Sequence, residues 1–176
     1  MKDAIVRFDT RLTNRVQRWP KLVKVPMLVV TNAGQPFIMI LLALGAAVVA
    51  WQNSQINIVY SLLASVAAIG VNSVLKHYIH RTRPDTLYVS NMYFKTSSFP
   101  SGHAFASAVT LTMLAYLAAT YVLAPWTIVL PVLCVLFAGT VSVSRVYLGA
   151  HFPTDVIAGS TLGALATLGI ILIFAP

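Results

Sequence analysis

Four stretches of this chain, Ile56 to Leu75, Ala104 to Val122, Trp126 to Val143 and Val156 to Phe174, each run for 18 to 20 residues without one charged side chain. A bilayer core about 30 Å thick is crossed by about 20 apolar residues in a helix. Helices and closed barrels are the conformations that satisfy every backbone polar group there. A fifth run, Pro36 to Trp51, is short; it either extends backward through Thr31 and Gly34 or starts in the headgroup layer. The expected fold is therefore an all-α integral membrane protein, a bundle of about five transmembrane helices, or six if the N-terminal segment also crosses. The connections at 52–55 and 123–125 are tight and uncharged, so the helices they join should form antiparallel hairpins. Gly159 and Gly163 stand at the spacing that lets two membrane helices approach closely. Nothing marks a second domain: residues 1–176 read as one unit, with the bundle in 36–176.

Only 9% of the residues are charged, against about 25% in a soluble domain, which excludes an ordinary water-soluble fold. The charges that remain are lopsided, twelve Lys and Arg against four Asp, for a formal net charge of +8. In so apolar a chain this balance favours a phosphate-bearing lipid or an anionic membrane surface over nucleic acid, and points to no obligate protein partner. The single cysteine, Cys134, lies inside an apolar run and reads as a packing residue, with no disulfide framework and no thiolate metal cage.

Residues 1–33 behave differently. Ile5, Phe8, Leu12, Val16 and Trp19 recur at spacings of three and four beside a stripe of Arg7, Arg11, Arg15 and Arg18, the pattern of an amphipathic helix lying in the membrane interface. The arginines read as a headgroup anchor, and Pro20 should end or bend the helix. A signal peptide fits poorly, because no A-x-A-like cleavage site follows a compact apolar core. From Leu22 to Ala33 a partial crossing is interrupted by Lys24 and Pro26.

Threading five spans in order puts the charged segments, 1–24, 76–95 and 145–155, on one face of the membrane. Charge in the bilayer centre is costly, at least about 2.5 kcal/mol per Lys or Arg on insertion scales, but cost alone does not explain a shared face. Topogenesis offers one reason, and a site that needs convergent cations offers another. On that face the sequence reads Lys76-x6-Arg83-Pro84, then Pro100-Ser101-Gly102-His103, then Ser144-Arg145-x5-His151-x3-Asp155.

These residue types suit phosphoryl transfer. The transferred group spreads negative charge over three oxygens, so catalysis is mostly positioning and electrostatic stabilisation. Lys76, Arg83 and Arg145 supply three cations, two of them guanidiniums that match phosphate geometry. Lys76 and Arg83 lie about two helical turns apart and share a face if the helix persists to Pro84, which biases Arg83 out of helical geometry. Ser101 and Gly102 precede an apolar run, at a helix N-terminus that favours an anion; Ser101 alone would also suit a simple N-cap. His103 and His151 titrate in the useful range. If Pro153 starts a helix, Asp155 can face His151 and orient its ring.

The three blocks, in this order and with this internal spacing, resemble the signature of the type 2 phosphatidic acid phosphatase superfamily over about 80 residues, Lys76 to Asp155. The resemblance implies that His151 attacks phosphorus to form a phosphohistidine, that Asp155 orients it, and that His103 protonates the leaving oxygen and then activates water. It implies a metal-independent reaction with no cofactor. The residues agree: the chain has no glutamate, and Asp155 is the only acid near His151. His77 and His80 lie outside the motif positions and read as lining a membrane edge or polar cleft. Tyr88, Tyr93, Phe94 and Phe99, in the connection from Arg81 to Phe99, suit either an interfacial lid or an aromatic belt.

Compact bacterial members of that family cleave lipid phosphates, and the expected substrate is a membrane lipid phosphate or diphosphate, foremost undecaprenyl diphosphate. Phosphatidylglycerophosphate, phosphatidate and lipid A phosphate are the alternatives. A vanadate-dependent oxidase would share the anion site but belongs to a soluble group, and a non-catalytic protein that binds or flips anionic lipid would need no His151–Asp155 pair. Family members usually have six spans, so an apolar helix before the amphipathic segment is expected to be missing. The protein is placed in the cell membrane. Seven basic and two acidic side chains in residues 1–24 point the active face inward by the positive-inside rule; the resemblance to cell-envelope phosphatases points outward, and the outward face is the expectation.

Overall fold

The computed structural model describes residues 2–92 and 96–174. The elements are α1 (Lys2–Gln17), a 3-10 turn (Lys21–Val23), α2 (Lys24–Ala33), α3 (Pro36–Gln52), α4 (Ile56–Leu75), a short α5 (Leu87–Ser90), α6 (Gly102–Tyr121), α7 (Trp126–Tyr147) and α8 (Pro153–Phe174). The chain is all-helical among the described residues, as the apolar runs require.

Helices α4, α6, α7 and α8 are each long and apolar enough to cross a membrane. The run from Lys21 through Gln52 supplies a fifth crossing only as a bent pair, α2 and α3 meeting at 51°. Two residues cause the bend. Pro36 occupies the first turn of α3, where its missing N–H costs nothing, and Gly34 sits so close to α7 that a Cβ there would lie 2.5 Å from Val141 Cγ2. The described residues thus support up to five spans, and the six-span alternative finds no further candidate among them.

Helix α6 is the axis of the bundle. Eight consecutive residues, Ala104 to Leu111, are buried; because that run exceeds two helical turns, α6 is enclosed on every side. Its Ala- and Ser-rich sequence permits this, since small side chains let neighbouring backbones approach where lipid offers no hydrophobic drive between helices. The glycines of α8 do the same from the other side: a Cβ at Gly159 would lie 2.6 Å from the Ser101 carbonyl oxygen, and one at Gly163 would lie 2.7 Å from that of Phe105. Hydroxyls add polar ties between helices, with Thr167 donating to the Val109 carbonyl at 3.1 Å and Ser142 paired with Ser160 at 2.9 Å. Outward, Ile128, Val132, Leu133, Val135 and Leu136 of α7 are exposed, an apolar surface of the kind a bilayer covers.

The amphipathic helix forms, but its orientation differs from the sequence expectation. Arg7, Arg11, Arg15 and Arg18 are exposed, as an anchor requires. The apolar stripe, however, is divided: Ile5 and Phe8 stay exposed, while Leu12 and Val16 turn onto α7 and α8 beside Val146 and Val156. The most buried side chains of α1 are polar, Asp9 and Thr13. Hydrogen-bonding partners on the bundle, described below, outweigh the apolar periodicity in setting this face.

Candidate active site

The site is assembled at the end of the bundle where α4 stops and α6 and α8 start. Helix α4 ends at Leu75, where the uncharged run ends, with Lys76 as its C-cap, so Lys76 and Arg83 do not share a helix face. Beyond it the loop is held by the segment that leads into α6. The Arg81 N–H donates to the Ser97 hydroxyl at 3.2 Å, and the Arg81 carbonyl accepts the Ser98 N–H at 3.0 Å. Arg83 thereby reaches the site by the path of the loop. Its Nε donates to the Thr96 carbonyl at 2.9 Å, and its Nη1 donates to the Ala150 carbonyl at 3.1 Å and to His151 Nε2 at 3.2 Å.

Ser101 caps α6, yet its hydroxyl makes no capping bond and is fully buried without a partner. A buried unpaired hydroxyl is costly unless a ligand completes it, so the simple N-cap reading does not account for Ser101. Its backbone N–H donates to the Asp155 carbonyl at 3.0 Å, tying the start of α6 to the start of α8. Gly102 leaves room for Lys76: a Cβ there would lie 3.4 Å from the Lys76 Nζ. Burial, with Arg83 and Arg145 nearby, pushes the Lys76 ammonium down to about 8. His103 stands in the first turn of α6, within Coulombic reach of Arg145, His151, Lys76 and Arg83.

Arg145, near the end of α7, is 1% exposed. Its Nη1 donates to Thr31 Oγ1 at 2.6 Å and to the Tyr88 hydroxyl at 3.2 Å, its guanidinium lies 5.5 Å from the Tyr88 ring centre, and its Nε has no partner. The Arg145 carbonyl accepts from the Ala150 and His151 N–H groups, and Gly149 takes a φ of +71°, so the α7–α8 turn folds the His151 ring back over Arg145. Such a φ suits glycine, which lacks the Cβ that clashes there. Pro153 does start α8, and Asp155 is its third residue. The carboxylate caps the helix, Oδ2 accepting the Phe152 N–H at 2.9 Å, and the same oxygen stands 3.5 Å from His151 Nδ1. That separation is long for a hydrogen bond; Nδ1 has no closer partner in this resting arrangement. Burial pushes His151 down to about 4, with the Asp155 carboxylate opposing and the cations reinforcing. The imidazole is therefore neutral near pH 7. Since Arg83 only donates, Nε2 carries the lone pair and Nδ1 the proton, a tautomer assigned from the hydrogen-bond network.

All eight residues singled out by spacing, Lys76, Arg83, Ser101, Gly102, His103, Arg145, His151 and Asp155, thus meet in one constellation. Beside it a cleft of about 660 Å³ is lined by Lys76, His77, His80, Arg81, Arg83 and Ser97, so the two extra histidines border a polar cleft. Of the proposed lid aromatics, Tyr93 and Phe94 lie outside the described residues, Phe99 is half-buried, and Tyr88 packs on Arg145. Three contributors escaped the sequence reading: Thr31, Arg81 and Asp9. Thr31 carries no local signal, since its role depends on α2 lying against α7. Arg81 and Asp9 had one, being charges on the same face as the motif. Among the described residues no three His, Cys, Asp or Glu side chains converge as a metal-binding group.

Comparison with known proteins agrees with this geometry. Residues 56–176 match the PAP2 superfamily. The chain is 37% identical over 97 residues to phosphatidylglycerophosphatase B of Bacillus subtilis, covering 54% of this chain and 47% of that protein. It is 35% identical over 111 residues to lipid A 1-phosphatase of Rhizobium johnstonii, covering 58% and 42%. The matched part spans less than half the length of these curated relatives. In three dimensions it resembles the crystal structure of a transmembrane PAP2-type phosphatidylglycerolphosphate phosphatase from Bacillus subtilis, with a TM-score of 0.82, 26% identity, and 97% and 86% of the two chains covered. It shares its fold with Aquifex aeolicus LpxE, at a TM-score of 0.71, 18% identity and 93% and 94% coverage. Through the extent of the sequence match and the shared fold of these membrane proteins, the chain belongs to the PAP2 superfamily.

Proposed function

We propose that this protein hydrolyses a membrane lipid phosphate through a phosphohistidine intermediate. The observation that carries the reading is His151: a buried, neutral imidazole with its Nε2 lone pair turned toward Arg83 and its Nδ1 toward Asp155. Phosphate oxygens binding among Lys76, Arg83, Arg145, the Ser101 hydroxyl and the α6 N-terminus would displace the Arg83 contact and bring phosphorus to Nε2. The N–P bond forms as the P–O bond to the lipid breaks, His103 giving its proton to the departing oxygen. Water then attacks phosphorus, His103 taking a proton from it, and the N–P bond breaks to release inorganic phosphate and neutral His151. Asp155 holds Nδ1–H and stabilises the ring as positive charge develops on it.

The substrate class follows from place: the site opens at the end of an apolar bundle, where a lipid tail remains in the bilayer while its phosphate enters the cation cluster. The named relatives favour phosphatidylglycerophosphate or a lipid A phosphate as the first compounds to test, and undecaprenyl diphosphate, the expectation from the sequence, is the third. The deciding experiment is phosphate release from these lipids by purified wild type and His151→Ala. Release by wild type with loss in the variant is expected; equal release by both would remove His151 as nucleophile and favour an anionic-lipid binding protein.

The active face is assigned to the outside of the cell membrane. Asn91, just after α5, is exposed. In a Cys134→Ala background, Asn91→Cys should react with an impermeant thiol reagent in intact cells; protection would turn the site inward.

A further inference from the structure

The Asp155 carboxylate divides its neighbours between two oxygens, and the Phe152 N–H takes Oδ2 at 2.9 Å. Oδ2 faces His151, while Oδ1 accepts Arg81 Nη1 at 2.7 Å. Arg81 does not stop there: its Nη2 donates to Asp9 Oδ2 at 2.6 Å. Asp9 belongs to α1 and is 2% exposed. It is further held by Thr154, whose N–H donates to Oδ1 at 2.9 Å and whose hydroxyl donates to Oδ2 at 2.8 Å. Thr154 Oγ1 in turn accepts from Arg81 Nη1 at 2.8 Å, and the guanidinium lies 5.0 Å from the Phe152 ring centre. Ion pairs therefore run from α1 through Asp9, Arg81 and Asp155, and the Asp155 carboxylate faces His151 Nδ1 across 3.5 Å. Three of these four side chains are buried, and Arg81 is partly so.

We propose that Asp9 and Arg81 are positioning residues for turnover, a relay that aims the Asp155 carboxylate at His151 and makes docking of α1 part of the assembled active site. The inference rests on the phosphatase reading. Two physical requirements support it. The first is aim. Asp155 must keep one oxygen toward Nδ1, and Arg81 with the Phe152 N–H clamps the group from both sides; a displacement of about 1 Å at such a group can cost about 100-fold in rate. The second is charge. A lone guanidinium at 2.7 Å would neutralise Asp155 just where it must stabilise a ring turning positive. Asp9 shares that guanidinium, so the group of two carboxylates and one cation on the Nδ1 side carries a net charge of −1. Without Asp9 the balance is zero, and without Arg81 it is −2.

A staple that merely pins α1 to the bundle would need the same contacts but not this electrostatics, and the two are separable. The groups facing His151 are Asp155 and Arg83 in contact, with Lys76, Arg145 and His103 in its field; Asp9 and Arg81 act on it through Asp155. Asp9→Asn keeps the shape and leaves Thr154 an acceptor while removing the charge, and Arg81→Gln removes the cation.

The test is kcat, KM and the pH dependence of kcat/KM on phosphatidylglycerophosphate, a lipid A phosphate and undecaprenyl diphosphate, with thermal stability of each variant measured in parallel. Relative to wild type, kcat should fall about tenfold to 100-fold in both variants with KM little changed. The acid limb should move to lower pH in Asp9→Asn and to higher pH in Arg81→Gln, and Asp9→Glu should recover part of kcat. A folded Asp9→Asn protein with wild-type kcat and acid limb overturns the relay. So does a lower melting temperature with both acid limbs unmoved, which would leave Asp9 a staple. If the wild type releases phosphate from none of these lipids, the phosphatase reading fails, and the relay's role in turnover fails with it, before any variant is compared.

Discussion

Arg83 Nη1 donates to His151 Nε2 across 3.2 Å, so the lone pair that would attack phosphorus is occupied by a cation that phosphate itself attracts. On the proposed mechanism Arg83 thus holds the imidazole aimed, and phosphate binding would release it.

The pH profile should show this pairing with Lys76. Protonation of His151 removes the lone pair, so kcat/KM should fall as pH drops through about 4, the value to which burial pushes this group. On the alkaline side Lys76 loses its charge as pH rises through about 8, and kcat/KM should fall again. Lys76→Arg should move the alkaline limb upward, because a guanidinium stays protonated there. Comparing variant with wild type on one lipid cancels the substrate phosphate's own ionisation near pH ~6. Coincident alkaline limbs would assign that limb to another group.

Ser101→Ala should separate catalysis from stability. The hydroxyl is buried and bonded to nothing in the resting protein, so deleting it removes no contact and the melting temperature should hold or rise. Loss of one donor to a developing anion costs about 100-fold or more in kcat. An unchanged kcat would show that Ser101 does not touch the phosphate.

Gly159→Ala should damage both. The added Cβ would meet the Ser101 carbonyl oxygen at 2.6 Å, backbone against backbone, and overpacking of this kind costs about 1–3 kcal/mol. Gly163→Ala faces a comparable clash at Phe105, one turn farther from the site. Both variants should melt earlier in detergent, and Gly159→Ala should lose more activity per degree lost. Equal activity losses would mean that the position of Ser101 is not set by this contact.

Thr31→Val should raise KM. Thr31 holds the buried Arg145 guanidinium at 2.6 Å, and a hydrogen bond to a charged group contributes about 1.5–3 kcal/mol. Arg145→Lys should do the same more strongly, since an ammonium lacks the planar fork. Steady-state kinetics on one lipid phosphate would show it; a Thr31→Val enzyme with unaltered KM would make that contact dispensable.

Activity should survive EDTA, because in the proposed mechanism Lys76, Arg83 and Arg145 supply the positive charge to the phosphate. Loss of phosphate release that added divalent metal restores would contradict this.

Much of this was legible in residue order. Uncharged runs of 18 to 20 residues leave a chain in lipid little but the helix, and helices α4, α6, α7 and α8 fall where those runs lie. The eight candidate residues could be singled out because phosphate chemistry suits a recognisable set of cations, imidazoles and a helix N-terminus. Their spacing survives in sequence since each block lies at a helix end. The path from Lys76 to Arg83 was not legible, because Ser97 and Ser98, sixteen or more residues from Arg81, supply the hydrogen bonds that hold it.

By itself, then, the sequence determined a helical membrane protein whose charges share one face and whose three motifs suit an anion. Both follow from local properties, hydrophobic length and side-chain chemistry. Only the tertiary structure decided that α1 docks through Asp9 together with half of its apolar stripe, that Thr31 and Tyr88 hold Arg145, and that Arg81 joins α1 to Asp155. These depend on which buried polar group finds a partner, a condition set by segments distant in the chain and by no periodicity within one of them.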